Sequence, residues 1–532
     1  MKHDILKNKA YLYVTEFFAG MAVMAVELGA SRLLAPYFSS SQIVWTIIIG
    51  TIMIAMALGN IYGGRSADRN PDPDRLYVRL LIAGAWIAAI PVLGKYIIMA
   101  IAGVLVLTIN TNFLVAAAFI ACMVIFVFPL FLLGTVTPSL VKFTVGSLDD
   151  SGKTVGMLGA FNTIGSILGT FLPTFVTIPA VGTAVTFLIF SGVLILIAGV
   201  YFISRGRKRA ALAVTLVIFI LCSIFGNSDS FAFWEQGLTY EGESIYNYLQ
   251  VREDERSVIL STNVLFGVQS ITMKDDRLTG MYYDYAMAAP VMSGSPEDML
   301  VLGMGTGTYG RQCLRYFKDL KVEGVEIDGR ITDLAGLYFD APEEVPVYTY
   351  DGRAFLMADD RKYDVIMVDA YQDISIPFQM SSLEFFREVR DHLKDNGVMV
   401  VNMNMRSDEE GNINEYLCDT IASVFPSVAT IDVPYCTNRE LFAAKEGECI
   451  ERLAQNMASG EYGDPEFAKL MAVVEEGLNP YEGGDRIFTD DKAPVELLGM
   501  REIDGLIRGE VSYYKKIYED EGLSGLRRAL GI

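Results

Sequence analysis

The chain has 532 residues, 52% of them hydrophobic, and a formal net charge of −21. This length predicts two or more domains. A strongly acidic protein repels phosphates, so the charge argues against a nucleic-acid partner. His3 and His392 are the only histidines, which excludes His-ligated zinc and Ser-His or Cys-His catalysis. We therefore expect no metal and assign acid-base chemistry to carboxylates, Tyr or Lys.

Charge is distributed unevenly along the chain. Residues 1–226 contain 15 Lys and Arg against 8 Asp and Glu, whereas residues 227–532 contain 28 against 56. Such asymmetry indicates two different environments. The acidic half is either a solvated surface or a field that concentrates cationic substrates such as polyamines.

Residues 1–226 contain repeated apolar runs, which predict a multi-pass helical domain with the lipid bilayer as its partner. Most runs approach or exceed the ~20 residues that a helix needs to cross the hydrocarbon layer. Pro91 and Lys95 lie inside the third run and could divide it, so seven and eight spans are both open. The runs are residues 11–35, 42–63, 76–109, 113–136, 155–178, 183–204 and 210–226.

Three charged residues, Glu16, Glu27 and Arg32, lie in or beside the first run. Charge at membrane depth is costly, so we expect these side chains to have partners inside the bundle or to reach the interface from a helix end. Glu27 and Arg32 are spaced to pair. Small residues at helical spacing also predict close helix packing, at Gly156, Gly159, Gly165 and Gly169.

The pattern changes after residue 237. Short strands at residues 244–251, 257–260 and 268–273 predict a small antiparallel sheet. Strands and helices then alternate, which predicts a parallel sheet covered on both faces. The predicted strands are 299–302, 322–327, 345–350, 365–368 and 398–403, and the predicted helices are 309–317, 331–337, 353–358 and 383–393.

Candidate binding groups follow four successive strands of this sheet, at the ends where ligands bind in such folds. The glycine-rich segment 303–307 follows the first strand and lets the backbone approach a nucleoside closely. Glu326 ends the second strand, where an acid can accept both ribose hydroxyls. Asp351 and Asp369 follow the third and fourth strands. Each acid alone is more simply a helix cap or turn residue, but the series predicts one common site.

This constellation resembles the spermidine synthase (polyamine aminopropyltransferase) family over residues 237–445. Residues 27–36, 63–68 and 489–496 are similar to its membrane-fused bacterial branch. The resemblance implies a small β domain followed by a Rossmann-like domain. It also implies transfer of an aminopropyl group from decarboxylated S-adenosylmethionine to an amine such as putrescine. The donor's sulfonium is already activated, so the enzyme must align the amine and deprotonate it.

The resemblance implies roles for individual residues. Asp369 is the expected base, since a carboxylate can accept the ammonium proton. Donor binding is expected from Glu326 at the ribose, from Asp351 at the adenine and from the loop residues Gly303, Gly305, Thr306 and Gly307. Binding of the cationic amine is expected from Asn247, Tyr282, Tyr283 and Gln372.

The chain departs from the family pattern around the amine. Thr306 replaces an acid that contacts the donor's aminopropyl ammonium, and Gln372 replaces a second acid, with Asp373 one position later. Tyr283 and Asn247 stand where the family has glutamines. The candidates for restoring the negative charge are Asp284, Asp490 and Asp491.

We predict a multi-pass α-helical membrane domain plus an α/β Rossmann-like domain of the spermidine synthase or methyltransferase type, with a small β-sheet domain before it. The predicted bounds are 1–226 for the membrane domain, 227–292 for the small β-strand domain with its lead-in helix, and 293–532 for the Rossmann-like catalytic domain with a C-terminal helical extension. Two alternatives to aminopropyl transfer stay open. One is a methyltransferase or other transferase that uses intact S-adenosylmethionine, which Thr306 permits. The other is a membrane transporter or sensor whose soluble domain binds a nucleoside or polyamine.

The side of the membrane on which residues 227–532 lie is a separate question. Basic clusters at 65–79 and 205–209 predict cytoplasmic loops, which with seven spans places the following domain outside the cell. An adenosyl donor is made inside, which favours the cytoplasm and requires eight spans. We expect a protein of the cell membrane with its soluble domain in the cytoplasm, and a homodimer is an open alternative to a monomer.

Overall fold

The computed structural model of the protein describes residues 8–108, 112–144, 151–226, 230–235, 237–264, 268–275, 277–371, 376–404, 406–407, 409–459 and 462–529. The chain forms two compact units. The first consists of Met1–Glu235 and Glu241–Tyr248, and the second of Gln236–Tyr240 and Leu249–Ile532. The three domain bounds given above stay a prediction.

The first unit is a bundle of α-helices. They are α1 (Lys9–Phe38), α2 (Gln42–Arg69), α3 (Pro73–Thr108), α4 (Phe113–Gly134), α5 (Val136–Thr144), α6 (Ser151–Leu172), α7 (Ile178–Arg205) and α8 (Arg209–Phe225). A π-helical turn, Pro173–Thr177, joins α6 to α7. Gly182, with φ of 78°, breaks the helical path inside α7.

Among the described residues, five helices are long and apolar enough to cross a membrane. They are Lys9–Phe38, Gln42–Arg69, Pro73–Leu105, Phe113–Thr144 and Ser151–Arg205, whereas Arg209–Phe225 is apolar but shorter. Pro91 lies inside the continuous helix α3, so of the two alternatives for the third run the structure has the undivided helix. A single proline removes one hydrogen bond, and α3 is held by packing against α4 and α7.

Only some of the positions predicted to be polar or closely packed lie inside the bundle. Glu16 is fully buried, and its Oε1 accepts hydrogen bonds from Thr137 (2.5 Å) and Asn162 (2.8 Å). A side chain at Gly165 or Gly169 would collide with the backbone of α1, whereas Gly156 and Gly159 face open space. The close packing is thus confirmed at the second glycine pair and wrong at the first.

The charged residues at the other end of α1 have different surroundings. Arg32 donates hydrogen bonds to the carbonyl oxygens of Ser244 and Ile245. Its pairing with Glu27 stays a prediction.

A four-stranded sheet of order β1-β2-β3-β4 precedes the α/β part of the chain. The strands are β1 (Tyr240–Glu243), β2 (Tyr248–Glu253), β3 (Ser257–Ser261) and β4 (Ser270–Met273). The predicted strand 244–251 starts too early. The Ser244 hydroxyl accepts hydrogen bonds from the backbone N–H groups of Tyr246 and Asn247, and this local capping holds residues 244–247 in a turn.

The main sheet has eight strands in the order β12-β10-β11-β9-β8-β5-β6-β7. Strands β5 to β9 run parallel to one another, and β10, β11 and β12 extend the sheet in antiparallel pairs beyond β9. Their bounds are β5 (Asp298–Leu302), β6 (Lys321–Glu326), β7 (Val347–Thr349), β8 (Tyr363–Val368), β9 (Leu393–Met403), β10 (Ser427–Asp432), β11 (Arg439–Ala444) and β12 (Asn479–Pro480).

Helices cover both faces of this sheet, and alternate residues of its strands fill two separate apolar cores. The helices are α9 (Tyr282–Ala286), α10 (Ala288–Ser293), α11 (Thr308–Tyr316), α12 (Gly329–Tyr338), α13 (Gly352–Ala358), α14 (Leu383–Asp391), α15 (Ile413–Ala422), α16 (Cys449–Ala458), α17 (Pro465–Gly477) and α18 (Val495–Ala529). The predicted parallel α/β sheet is confirmed. The predicted helix 383–393 ends at Asp391, and Leu393 already belongs to β9.

Candidate active site

The strand order reverses between β5 and β8, and the candidate residues gather at this switch point, as ligand sites do in such sheets. The backbone N–H of Asp369 donates to the carbonyl oxygen of Leu302 at 2.9 Å, so the ends of the two strands are adjacent. Gly303 has φ of +88°, and a Cβ there would lie 2.8 Å from the Cα of Ala370. Both observations require glycine at position 303.

Glu326 fastens the glycine loop to the tip of β6. Its carboxylate accepts hydrogen bonds from the backbone N–H groups of Gly305 (2.9 Å) and Asp328 (3.0 Å). Burial raises the pKa of Glu326, and these two bonds oppose the rise. A carboxylate has about four acceptor positions, so it can still accept the hydroxyls of a ribose.

Thr306 is buried in the same loop and contributes no charge. Its hydroxyl lies 3.3 Å from that of Thr308, which in turn lies 2.9 Å from the hydroxyl of Thr272 on β4. Gly305 and Gly307 flank Thr306 with positive φ angles. The loop is therefore held by hydroxyl and backbone contacts where the family pattern has a carboxylate.

Asp351 is the N-cap of α13, and its Oδ1 accepts the backbone N–H of Ala354 at 2.8 Å. One oxygen of Asp351 therefore serves as a helix cap, which is the simpler of the two interpretations that the sequence offered for this acid. The next residue, Gly352, lies against Leu302 and Met380, which places this turn beside the end of β5. Asp351 is therefore on the same edge of the sheet as the glycine loop.

Asp369 is held by two neutral side chains from different elements. Tyr282 on α9 donates to its Oδ2 at 2.5 Å, and Asn402 on β9 donates to its Oδ1 at 2.8 Å. Burial raises the pKa of Asp369 to about 7, the charge of Glu326 adds to the rise, and the two hydrogen bonds oppose it. A carboxylate with this pKa can take up a proton near neutral pH.

The two adjacent tyrosines face different groups. Burial and the neighbouring Asp369 charge raise the pKa of Tyr282, so its phenol stays protonated as a donor. Tyr283 packs on Tyr282, with ring centroids 4.0 Å apart. Its hydroxyl donates to the carbonyl oxygen of Gln269 and lies 3.4 Å from Ser270. Tyr282 thus contacts Asp369 directly, whereas the hydroxyl of Tyr283 is bonded towards β4.

Several groups beside Asp369 were not predicted from the sequence. Asn438 donates to the side-chain oxygen of Asn402 at 2.8 Å, and Tyr371 donates to the backbone carbonyl of Asn402 at 2.6 Å. Glu440 on β11 is directly opposite Asn402 in the sheet. The available signal was Glu440 itself, a charged residue within a strand whose next four residues are Leu, Phe, Ala and Ala.

Other residues that were predicted for the site either lie elsewhere in the chain or are not among the residues that the structure describes. Asn247 lies in the turn before β2, in the segment that belongs to the first unit. Asp284 accepts three hydrogen bonds from Thr279 and Gly280, and Asp490 pairs with Arg353 at 2.7 Å. These two acids are already bonded to other groups, and a role for Asp284, Asp490 or Asp491 in supplying the missing charge stays a prediction. Gln372 and Asp373 lie outside the described residues.

In the part of the chain that the structure describes, no three His, Cys, Asp or Glu side chains form a candidate metal-binding group.

Comparison with known proteins identifies the family. Residues 281–446 match the spermine/spermidine synthase domain. A probable polyamine aminopropyl transferase of Bifidobacterium longum is 55% identical over 346 residues, which are 62% of this chain and 78% of that protein. The chain belongs to the spermidine synthase (polyamine aminopropyltransferase) family. The predicted family is confirmed, and with it the enzyme class, a transferase of aminopropyl groups.

More distant relatives cover about half of the chain. A polyamine aminopropyltransferase of Vibrio vulnificus is 25% identical over 304 residues, which are 54% of this chain and 98% of that protein. Among solved structures, a probable spermidine synthase from Corynebacterium glutamicum aligns with a TM-score of 0.35 and 18% identity, over 47% of this chain and 98% of that chain.

Proposed function

We propose that this protein transfers the aminopropyl group of decarboxylated S-adenosylmethionine to a small diamine such as putrescine, with Asp369 as the general base. The observation that carries the proposal is the position and surroundings of Asp369. Its carboxylate follows β8 beside the glycine loop, with its pKa raised to about 7. An amine nucleophile must lose a proton, and this carboxylate can accept it at neutral pH.

The reaction needs alignment more than chemical activation of the donor. The neutral amine nitrogen attacks the aminopropyl carbon bound to the sulfonium, the new N–C bond forms and the C–S bond breaks. Methylthioadenosine leaves as a neutral thioether, and the product nitrogen, which gave one proton to Asp369 before the attack, is a secondary ammonium. Holding two reactants in line can contribute several kcal/mol to lowering the barrier.

The proposal divides the site into two halves. The donor half consists of the loop 303–307, Glu326 and Asp351, and holds the adenosine. The acceptor half consists of Tyr282, Asp369, Asn402 and Glu440, and holds the amine. Tyr282 and Asn402 orient the Asp369 carboxylate through their hydrogen bonds. Roles at the amine for Tyr283, Asn247 and Gln372 stay predictions.

Transfer from intact S-adenosylmethionine is the second candidate, and one observation favours it. The buried Thr306 has no charge that would oppose a donor carboxylate. A competition experiment separates the candidates: purified full-length protein in detergent is titrated with each donor, and products with putrescine are analysed. We expect tighter binding of the decarboxylated donor and release of methylthioadenosine. A methylated amine, or release of S-adenosylhomocysteine, would contradict the proposal.

We further propose that the first unit spans the cell membrane. Its apolar side chains are exposed on helix surfaces, among them Phe175 at 70%, Ile203 at 69% and Leu196 at 65%, whereas Glu16 is buried inside. A polar interior with an apolar exterior suits a lipid solvent. The cytoplasm, where the donor is made, is the proposed side for the soluble unit. Protease digestion of sealed inside-out vesicles should degrade this unit, and protection there would contradict the cytoplasmic placement.

A further inference from the structure

Glu440 is the second residue of β11, and only strand β9 separates β11 from β8, the strand that Asp369 follows. It pairs with Asn402 of β9 in the sheet register, and side chains at paired positions lie on the same face. Asn402 donates to Asp369 at 2.8 Å. Helix α9, which carries Tyr282, packs on β9 and β11. Glu440 is therefore in the same layer as the groups that hold Asp369.

The surroundings of Glu440 differ from those of the other buried acids in the second unit. It is fully buried, and neither of its carboxylate oxygens has a hydrogen-bond partner among the described residues. Glu326 accepts two backbone N–H groups. Asp419 accepts bonds from Tyr481, Gly484 and Arg486. A buried carboxyl group without partners is costly to the folded state, so this arrangement requires a compensating role.

The groups that act electrostatically on Glu440 are Asp369 and the Cys436 thiol, and neither is a cation. Together with burial they raise the pKa of Glu440 well above its ordinary value. A cationic ligand would reverse this effect, because a positive charge beside a carboxyl favours its ionised form. The chemistry that suits this position is an ammonium group brought in by a ligand.

We propose that Glu440 binds the second, non-reacting ammonium group of the acceptor, which makes the site selective for diamines over monoamines. This inference rests on the proposed function. The two carboxylates have different roles. Asp369 removes a proton from the attacking nitrogen, and Glu440 stabilises the charge of the other nitrogen. A desolvated ammonium needs a carboxylate partner, and the loop residue Thr306 cannot provide one.

The test compares two amines of equal length, 1,4-diaminobutane and 1-aminobutane, in full-length protein in detergent. The measured quantity is the ratio of kcat/KM for the diamine to that for the monoamine, followed by methylthioadenosine release. Replacing a charged partner costs about 1.5–3 kcal/mol, so Glu440→Gln should lower this ratio by about 10- to 100-fold. Glu440→Met, an unbranched apolar side chain, should do the same. Asp432→Asn, at a partly exposed position on neighbouring β10, should leave the ratio at its wild-type value.

A second readout does not depend on turnover. Diaminobutane alone should raise the Tm of the wild-type protein, and this rise should be smaller in Glu440→Gln. An unchanged ratio and an unchanged Tm response in a folded Glu440 variant would overturn the inference. If no amine supports methylthioadenosine release in the wild type, the proposed function fails, while the Tm response still decides whether Glu440 binds the diamine.

Discussion

The donor half and the acceptor half of the site lie on the same edge of one sheet but are built from different interactions. In the donor half, the carboxylates of Glu326 and Asp351 bond to backbone N–H groups close to them in sequence or in the adjacent loop. In the acceptor half, Asp369 is held by side chains from α9 and β9, and Glu440 has no partner among the described residues. The donor half therefore depends on its own two carboxylates and on the backbone close to them. The acceptor half can change with single substitutions.

The first test of this comparison removes the proposed base, Asp369. Asp369→Asn keeps the shape and both neighbouring side chains but cannot accept a proton. We expect turnover to fall by about 10²- to 10⁴-fold, as for other acid-base groups, while donor affinity stays close to wild type. Methylthioadenosine release and donor titration measure the two effects. Asp333→Asn, at an exposed site on α12, should change neither.

The same variant has a stability signature with a defined sign. In the folded protein the pKa of Asp369 lies above its ordinary value, at about 7. Ionisation of this group is therefore harder in the folded state than in the unfolded state, and its contribution to stability decreases as the pH rises from about 4 to about 7. Asparagine does not ionise. The Tm of Asp369→Asn should exceed that of the wild type at pH 8 but not at pH 4, and the opposite order would contradict the assigned pKa.

The second test acts where the two halves meet. Gly303→Ala places a Cβ against the backbone of residues 369–370 at a positive φ. We expect the free energy of unfolding of the second unit to fall by about 2–4 kcal/mol, from the strained backbone and the overpacking together. Gly336→Ala is the matched control, because Gly336 is in exposed helix α12 with open space around its Cα. Chemical denaturation should show that this control is at least as stable as the wild type.

The third test addresses the donor half alone. Glu326→Gln removes the charge and replaces one acceptor oxygen with a donor, so both the glycine loop and a bound ribose lose a hydrogen bond. We expect the Kd for adenosyl donors to rise by about 10- to 100-fold, with a smaller effect on kcat at saturating donor. Calorimetric titration gives the Kd. A loss of kcat with normal donor affinity would assign Glu326 to the acceptor half instead.

The fourth test distinguishes the two tyrosines by a small shift in pH dependence. Asp369 must be ionised to act as a base, so kcat/KM for the amine should rise with pH through about 7. The Tyr282 hydrogen bond lowers the pKa of Asp369, and Tyr282→Phe should therefore move this rise to higher pH. Tyr283→Phe should leave it in place, because its hydroxyl is bonded to the carbonyl of Gln269. Equal shifts in both variants would contradict the assignment of Tyr282, and not Tyr283, as the tyrosine that lowers the pKa of Asp369.

The difference between the halves also explains what the sequence could predict. Asp351 and Glu326 each follow a strand in a short strand-helix unit, so local patterns located them, and the parallel order of the strands brought them together. Asn402, Asn438 and Glu440 become neighbours only through the antiparallel register of β9 and β11. Such a register depends on long-range pairing, which no local pattern specifies.

Two features of the fold were not predicted correctly or were left open by the sequence, and each has a specific physical cause. Whether Pro91 divides the third apolar run stayed open in the sequence, because the packing of α3 against α4 and α7 cannot be read from a local pattern. The turn at residues 244–247 was predicted as strand because the capping by the Ser244 hydroxyl competes with an apparent alternation of apolar residues. Packing between helices decided the first feature, and local hydrogen bonds to one hydroxyl decided the second.

The most direct test of the central claim follows the transferred atoms themselves. Decarboxylated S-adenosylmethionine labelled with ¹³C in its aminopropyl group is given to the full-length protein with unlabelled diaminobutane, and the amine product is analysed by mass spectrometry. We expect the diamine to gain the whole labelled aminopropyl unit, with one methylthioadenosine released for each product and both formed at least about 100-fold more slowly by Asp369→Asn. An amine that gains only a methyl group, or labelled product at the wild-type rate from Asp369→Asn, would contradict the account.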